Sequence, residues 1–288
     1  MKEKAILGER SQDSGRTSAR LLVDKEDSFF FDHALDHVPG ILVVAGLLDV
    51  IRPECEGLRP DGRIKLGLDF HKFCELDDDI RVAAAPSEAG AEDGSAWDLA
   101  AELGASAASA VSGSAVLHRK SSERFVPAAP AQDGESLSAA ELAHRDRIEN
   151  SLLGAVWWGG DRLVARVQRP PEGHPLRTRP LAELIEAARQ FATLIGHVGY
   201  DRPIGDKFIL SALEVDLPLG LTPGEVSMEW VRKPVDGRTY HLAMRLFRAT
   251  GDDVDEEVGS ASFDAMIVTP RQYQTIRFRR RRAEERAI

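Results

Sequence analysis

At 288 residues the chain is long enough for one large domain or two of ordinary size, and 43% hydrophobic against 29% charged residues is the balance of a protein with buried cores. A formal net charge of −10 argues against a nucleic-acid binder, no apolar run reaches the roughly 20 residues a membrane helix needs, and the opening MKEKAILGERSQDSGRTSAR lacks the apolar centre of a secretory signal. Two cysteines, Cys55 and Cys74, form no CxxC and supply neither a disulfide framework nor a zinc site, so a soluble cytoplasmic protein without a metal is expected.

Residues 1–20 are polar and nearly free of aromatics, and are expected to be a loose arm. A first folded unit, 21–120, opens on the strand-like ARLLVD and passes through FFFDHALDHVPG into PGILVVAGLLDVI, residues 39–51. That last segment is apolar nearly all round, with Pro39 where a helix would start, so it predicts a buried helix. RIKLGLDFHKF, DDIRVAAAP, AWDLAAELGAS and SAVSGSAVLHR follow, with the alternation and turn punctuation of an antiparallel meander. Residues 121–147, with PAAPAQDGESLS at their centre, have the composition of a linker.

The second unit, 148–276, repeats the plan. LLGAVWW and RLVARVQRP predict a hairpin around GGD, with Trp157 and Trp158 as core and hairpin residues. Pro180 starts LAELIEAARQFATLIGHV, whose Leu184, Ala188, Phe191 and Ile195 recur at helical spacing. Four strand candidates come next: DKFILSALEVDL, EVSMEWVRKP, RTYHLAMRLFRA and EEVGSASFDAMIV. The last stretch, 277–288, is an arginine-rich charge run, either a solvated tail or a basic handle for an acidic partner. A long buried helix followed by four antiparallel strands, stated twice, predicts an α+β double hotdog. Each unit is a central helix wrapped by a curved sheet, and the two sheets pair side by side as a pseudo-dimer because each leaves an open edge to cover.

Two places concentrate chemistry. The loop 29–40 carries Asp32, His33, Asp36 and His37 just ahead of a helix N-terminus, whose amides at Gly40 and Ile41 suit a carbonyl oxygen while an imidazole moves a proton. The alternative is that the aspartates are caps and turn formers and the histidines pack beneath the loop. No further ligands are recognisable that would make this pair a metal site. In the second helix Glu186 and Gln190 share a face, with Arg189 beside them. A buried carboxylate there is either tuned for acid–base work or bridged by Arg189 as a structural group. His197 at that helix's C-terminal end reads first as a cap. No phosphate loop, GxSxG elbow or HExxH is present.

With FFFDHALDHVPGILVV and IEAARQFATLIGHVGYDRPIGDKFILSALEVDL, the chain resembles the A-factor biosynthesis hotdog family, whose members carry two related repeats. Asp36, His37, Val38, Pro39, Gly40 and Leu42 meet one repeat's pattern. Glu186, Ala187, Arg189, Gln190, His197, Tyr200, Pro203, Gly205 and Phe208 meet the other's, and IVTPRQYQTIR looks like the close of a repeat. The likeness covers most of both units and leaves out the linker and both tails. Two departures stand out. The repeats come in the opposite order from better-known members, and the first helix has Ala45 where the family has Glu and Asp49 where it has Gln.

The resemblance implies an enzyme that acts on an acyl thioester, presented by an acyl carrier protein or coenzyme A, with no cofactor beyond the substrate's own phosphopantetheine. It implies transfer of a β-ketoacyl group to a glycerone-phosphate-type alcohol, towards butyrolactone or butenolide signals. Glu186 would be the general base and His37 or His33 its proton partner. Gly40 and Ile41 would hold the thioester oxygen, with Arg189 and Gln190 on the substrate. Two alternatives stay open. One is a β-hydroxyacyl thioester dehydratase using a His/Glu pair across the units; the other is an inactive acyl-binding or scaffold protein, for which Ala45 speaks. Self-association as a homodimer is also open.

Overall fold

A computed structural model describes residues 4–56, 62–88, 94–104, 108–118, 135–235, 239–249 and 255–285. The first unit runs β1 (Leu7–Asp13), β2 (Arg16–Leu21), α1 (Gly40–Val50), the short α2 (Arg52–Glu56), β3 (Arg63–Phe70), β4 (Ile80–Pro86), β5 (Gly94–Leu103) and β6 (Ala108–His118). The second runs β7 (Glu135–Leu137), α3 (Ala139–Leu142), β8 (Leu153–Gly159), β9 (Arg162–Val167), α4 (Pro180–Gly199), β10 (Lys207–Pro218), β11 (Val226–Val231), β12 (Thr239–Ala249), β13 (Asp255–Val268) and α5 (Pro270–Glu285).

Thirteen strands among the described residues form one sheet in the order β1-β2-β4-β5-β6-β3-β10-β13-β12-β11-β9-β8-β7. The first unit's order, β1-β2-β4-β5-β6-β3, is matched strand for strand in the second by β8-β9-β11-β12-β13-β10, with β7 added outside. The units therefore meet edge to edge at β3 and β10, antiparallel, with Leu66 opposite Val215. Each covers the edge that the other would leave open. Arg63 ties this seam: it pairs with the Asp216 carboxylate and donates to the carbonyls of Asp216 at 3.1 Å and Val258 at 2.9 Å. The double hotdog expected from the repeat is the fold observed.

Both long helices lie inside the curve of the sheet and pack on each other. Helix α1 is buried from Ile41 to Val50, as its all-round apolar sequence requires. On α4 the periodic residues Leu184, Ala188, Phe191 and Ile195 are all buried, each side chain worth about 1.5–3 kcal/mol where it is large.

Three expectations at the margins are corrected. Residues 7–21 are no loose arm but an edge hairpin. Ser14 and Gly15 both adopt left-handed backbone (φ 49° and 82°), the requirement of a two-residue primed turn. β2 then pairs with β4, Thr17 opposite Ala84. A polar sequence suffices there because only the inward side chains, such as Ala19 and Leu21, need to be apolar. The linker's Pro-rich part, 121–134, lies outside the described residues. Its remainder folds as β7 and α3, with Ala139 and Ala143 buried against the core. The arginine run belongs to α5, which a capping box opens: Gln272 N donates to Thr269 Oγ1 at 3.3 Å and Thr269 N to Gln272 Oε1 at 2.9 Å, with Pro270 at the first helical position.

Candidate active site

A cavity of about 450 Å³ opens where the units join. The first unit contributes the loop 33–41 with Phe70, Phe73 and Cys74; the second contributes His144, Arg145, Arg189, Thr193, Lys207 and Phe208; α5 closes one side with Pro270, Tyr273 and Gln274. Each wall thus comes from a different part of the chain.

Both candidate histidines of the loop line it. His37 Nδ1 stands 2.7 Å from Asp36 Oδ1, so the proton sits on Nδ1 and Nε2 is left as the basic nitrogen. Burial lowers the pKa of His37, and Asp36 pulls it back up. Burial and the nearby Arg145 guanidinium lower the pKa of His33, and its buried Nδ1 has no hydrogen-bond partner among the described residues. The two aspartates divide. Asp36 serves His37, whereas Asp32 ties the loop to the second unit, accepting the amides of Asp146 and Arg147 and the side chain of Asn150. At the start of α1, Val38 N donates to Cys74 O, and Leu42 and Val43 N to Pro39 O. The amides of Gly40 and Ile41 have no intrahelical acceptor, and both residues face the cavity.

On α4 the structure separates residues the sequence grouped together. Glu186 is fully buried and does not line the cavity. Arg189 grips both its oxygens, Nε on Oε2 at 2.7 Å and Nη2 on Oε1 at 2.8 Å. Arg145 pairs with Oε1, and Gln190 Nε2 donates to it at 3.0 Å. Burial by itself would raise this carboxyl, but Arg189 and Arg145 overcome it and hold the pKa down at about 2. A carboxylate so occupied is a poor proton acceptor near neutral pH, which weighs against the general-base role expected of Glu186. Gln190 likewise does not line the cavity. Its amide is used up between Leu152 N (2.8 Å), Asn150 O (3.0 Å) and Glu186, fixing the start of β8 to the helix. Arg189 alone of the three reaches the cavity.

His144 and Arg145 went unnoticed in the sequence. His197 Nδ1 donates to Arg202 O at 2.7 Å, so its Nε2 carries the lone pair. His144 Nε2 lies 2.7 Å from that atom and must carry the proton between them, which leaves His144 Nδ1 as an acceptor. Burial first, then His197 and Arg189, push the pKa of His144 down to about 3. Its backbone is left-handed at φ 55°. Phe208 packs against both rings, and it lies close to α4 because residue 196 is glycine; a Cβ there would collide with the Phe208 ring. No local pattern marks His144, which stands in a polar stretch 53 residues before its partner.

By pseudosymmetry a second such site would use α1. There Ala45 is fully buried, and Asp49 is gripped by Arg179 Nε at 3.2 and 3.0 Å. Among the described residues no group of three or more His, Cys, Asp or Glu side chains could hold a metal, and no helix is long and apolar enough to cross a membrane.

Two hotdog units fused through one sheet, with a cavity at their joint, define a double-hotdog protein. The A-factor biosynthesis hotdog domain (AfsA) model matches residues 2–122 and again 99–246, and the chain belongs to this family. No curated protein matches it. Among solved structures it is similar to the dehydratase domain from the CurJ module of curacin polyketide synthase, at 13% identity and a TM-score of 0.64, covering 92% of this chain and 98% of that one. The dehydratase domain from the CurH module gives 13%, 0.65, 92% and 97%. That of RzxB from Pseudomonas fluorescens gives 14%, 0.64, 92% and 98%. At such identities the likeness speaks for the fold.

Proposed function

We propose that the chain acts on an acyl thioester, taking the acyl chain and its phosphopantetheine arm into the joint cavity, and that it transfers a β-ketoacyl group to a glycerone-phosphate-type alcohol. The observation that carries this reading is the division of the cavity. Imidazoles and free helix amides stand on the first unit's side; Arg189, Lys207 and the neutral His144 stand on the second's. The amides of Gly40 and Ile41, at the positive end of α1, suit the oxygen that gains charge when the carbonyl is attacked. Arg189 and Lys207 suit the phosphate of the alcohol. His144 Nδ1 accepts a hydrogen bond from its hydroxyl and orients it, since a group with so low a pKa is no proton sink. His37 Nε2 takes the hydroxyl proton as the oxygen attacks the carbonyl carbon. Asp36 steadies the imidazolium, which returns the proton to sulfur as the C–S bond breaks. His33, with its unpaired Nδ1, is the second imidazole at that wall.

Elimination of water from a β-hydroxyacyl thioester would need an acid for the leaving hydroxyl. The carboxylate best placed in the sequence for that task, Glu186, is committed to two arginines. This favours transfer over dehydration. Incubating the protein with β-ketoacyl and β-hydroxyacyl carrier-protein thioesters, with and without glycerone phosphate, tests the reading by product mass. An ester adduct is expected, slowed about 10²–10⁴-fold by His37→Gln. Loss of water from the hydroxyacyl substrate would instead establish a dehydratase. Saturable acyl binding without turnover would leave an acyl-binding protein, in keeping with Ala45.

A further inference from the structure

Helix α5 comes back over the loop that carries His37. The Tyr273 hydroxyl, on a residue only 6% exposed, donates to Asp36 Oδ1 at 2.8 Å and lies 3.3 Å from His37 Nδ1. Asp36 Oδ1 thus accepts two hydrogen bonds, one from tyrosine and one from histidine. One turn further along the helix, Arg277 clamps the same loop from outside. Nη1 and Nη2 each bind Glu75 at 2.8 Å, Nη2 also reaches Asp36 O at 3.0 Å, and the guanidinium lies 4.5 Å above Phe73. Phe73 in turn meets both the His37 and the Tyr273 rings edge-on, at 4.9 and 6.1 Å.

The geometry points to Tyr273 as the positioning residue for His37: its hydroxyl fixes the Asp36 carboxylate in the rotamer that keeps the His37 proton on Nδ1, and α5 is the strap that brings it there. The inference rests on the proposed function only for the use His37 makes of its free Nε2. The physical argument is one of competition for a carboxylate. A free Asp36 side chain has several rotamers and an exposed surface to turn towards. A second donor on the same oxygen removes that freedom and takes up part of the charge that would otherwise act on the imidazole alone. The charged and titratable groups that face His37 are Asp36 beside it, Glu75 from the following loop, and Tyr273 and Arg277 from α5.

The test reads His37 rather than turnover. Nitrogen-15 NMR of the histidine-labelled full chain, with His37 assigned through His37→Gln, reports its tautomer and protonation midpoint. In Tyr273→Phe Asp36 Oδ1 is left to His37, while Arg277 Nε keeps its 3.4 Å ion pair with Oδ2. The midpoint is expected to rise by roughly 0.4–1 pH unit, the worth of one hydrogen bond, and the tautomer to lose its exclusive Nδ1–H form. Amide exchange in α5 should stay as in the native chain. An unchanged midpoint and tautomer would overturn the assignment. Should the phenylalanine variant undock α5, 3-fluorotyrosine at position 273 replaces it. A stronger donor should lower the His37 midpoint, and no movement there overturns the proposal equally. A chain that shows these shifts but forms no ester product removes the proposed reaction and leaves the positioning role intact.

Discussion

A carboxylate four residues from a glutamine on an apolar helix has two ways to survive burial: use in chemistry, or pairing with cations. Glu186 takes the second, and the cations come from two distances in the sequence, Arg189 one turn away and Arg145 from the unit's leader. The local partner could be read from the spacing; the distant one could not. Glu186→Gln leaves the buried Arg145 guanidinium, and the partly exposed one of Arg189, against a neutral group, and is expected to lower stability by about 3 kcal/mol, measured by chemical denaturation. A variant as stable as the native chain but inactive would return Glu186 to the chemistry. The pH dependence has a definite sign. The folded pKa lies below the unfolded 4.5, so this pair's stabilisation is complete above that pH and is lost as pH falls towards 2. His144 adds to the same acid sensitivity, because the unfolded chain binds a proton below 6.5 that the folded site refuses down to about 3.

At the level of elements, the long helices and the strand meander were legible because their signals are local: a period, a proline at a helix start, turn residues between apolar runs. The marginal elements were missed for two different reasons. The α5 signal, Thr269-Pro270-Arg271-Gln272, is a capping box in plain view, outweighed by the arginines that follow it. The edge hairpin has only Ser14-Gly15 and a few inward apolar residues to announce it, since β2 also pairs with β4, whose partner residues lie 61 to 67 positions away. Thr269→Ala removes the cap and should weaken α5 by about 1 kcal/mol. Faster amide exchange along 270–278, without change in the sheet, is the outcome that checks it.

For the whole molecule, the pseudosymmetry shows how the two halves differ around their helices. His174 stands six residues ahead of Pro180, as His33 stands six ahead of Pro39. Yet His174 is packed on Phe29 at 4.1 Å between ring centres, takes the Leu176 amide on Nδ1, and is held by burial at about 4. Opposite it α1 presents Ala45, and Arg179 fills the space at Asp49. The second position has become core. Ala45→Glu should therefore not restore a site. It places a carboxylate in apolar packing without a partner, and a loss of at least about 3 kcal/mol is expected on denaturation. Native-like stability in that variant would mean that a cation can still reach α1.

The sequence by itself determined the two units, their helices, their strands and the loop that carries His33 and His37, because periodicity and turn chemistry act over a few residues. It also marked Glu186, Arg189 and Gln190 as a group. Only the tertiary structure decided what that group does, that His144 and Arg145 belong beside it, and that the arginine tail is a helix holding Asp36 and His37. Those outcomes depend on contacts between residues 41 to 241 apart. Whether a buried ionisable group is paired or free is settled by such partners, and no local pattern records them.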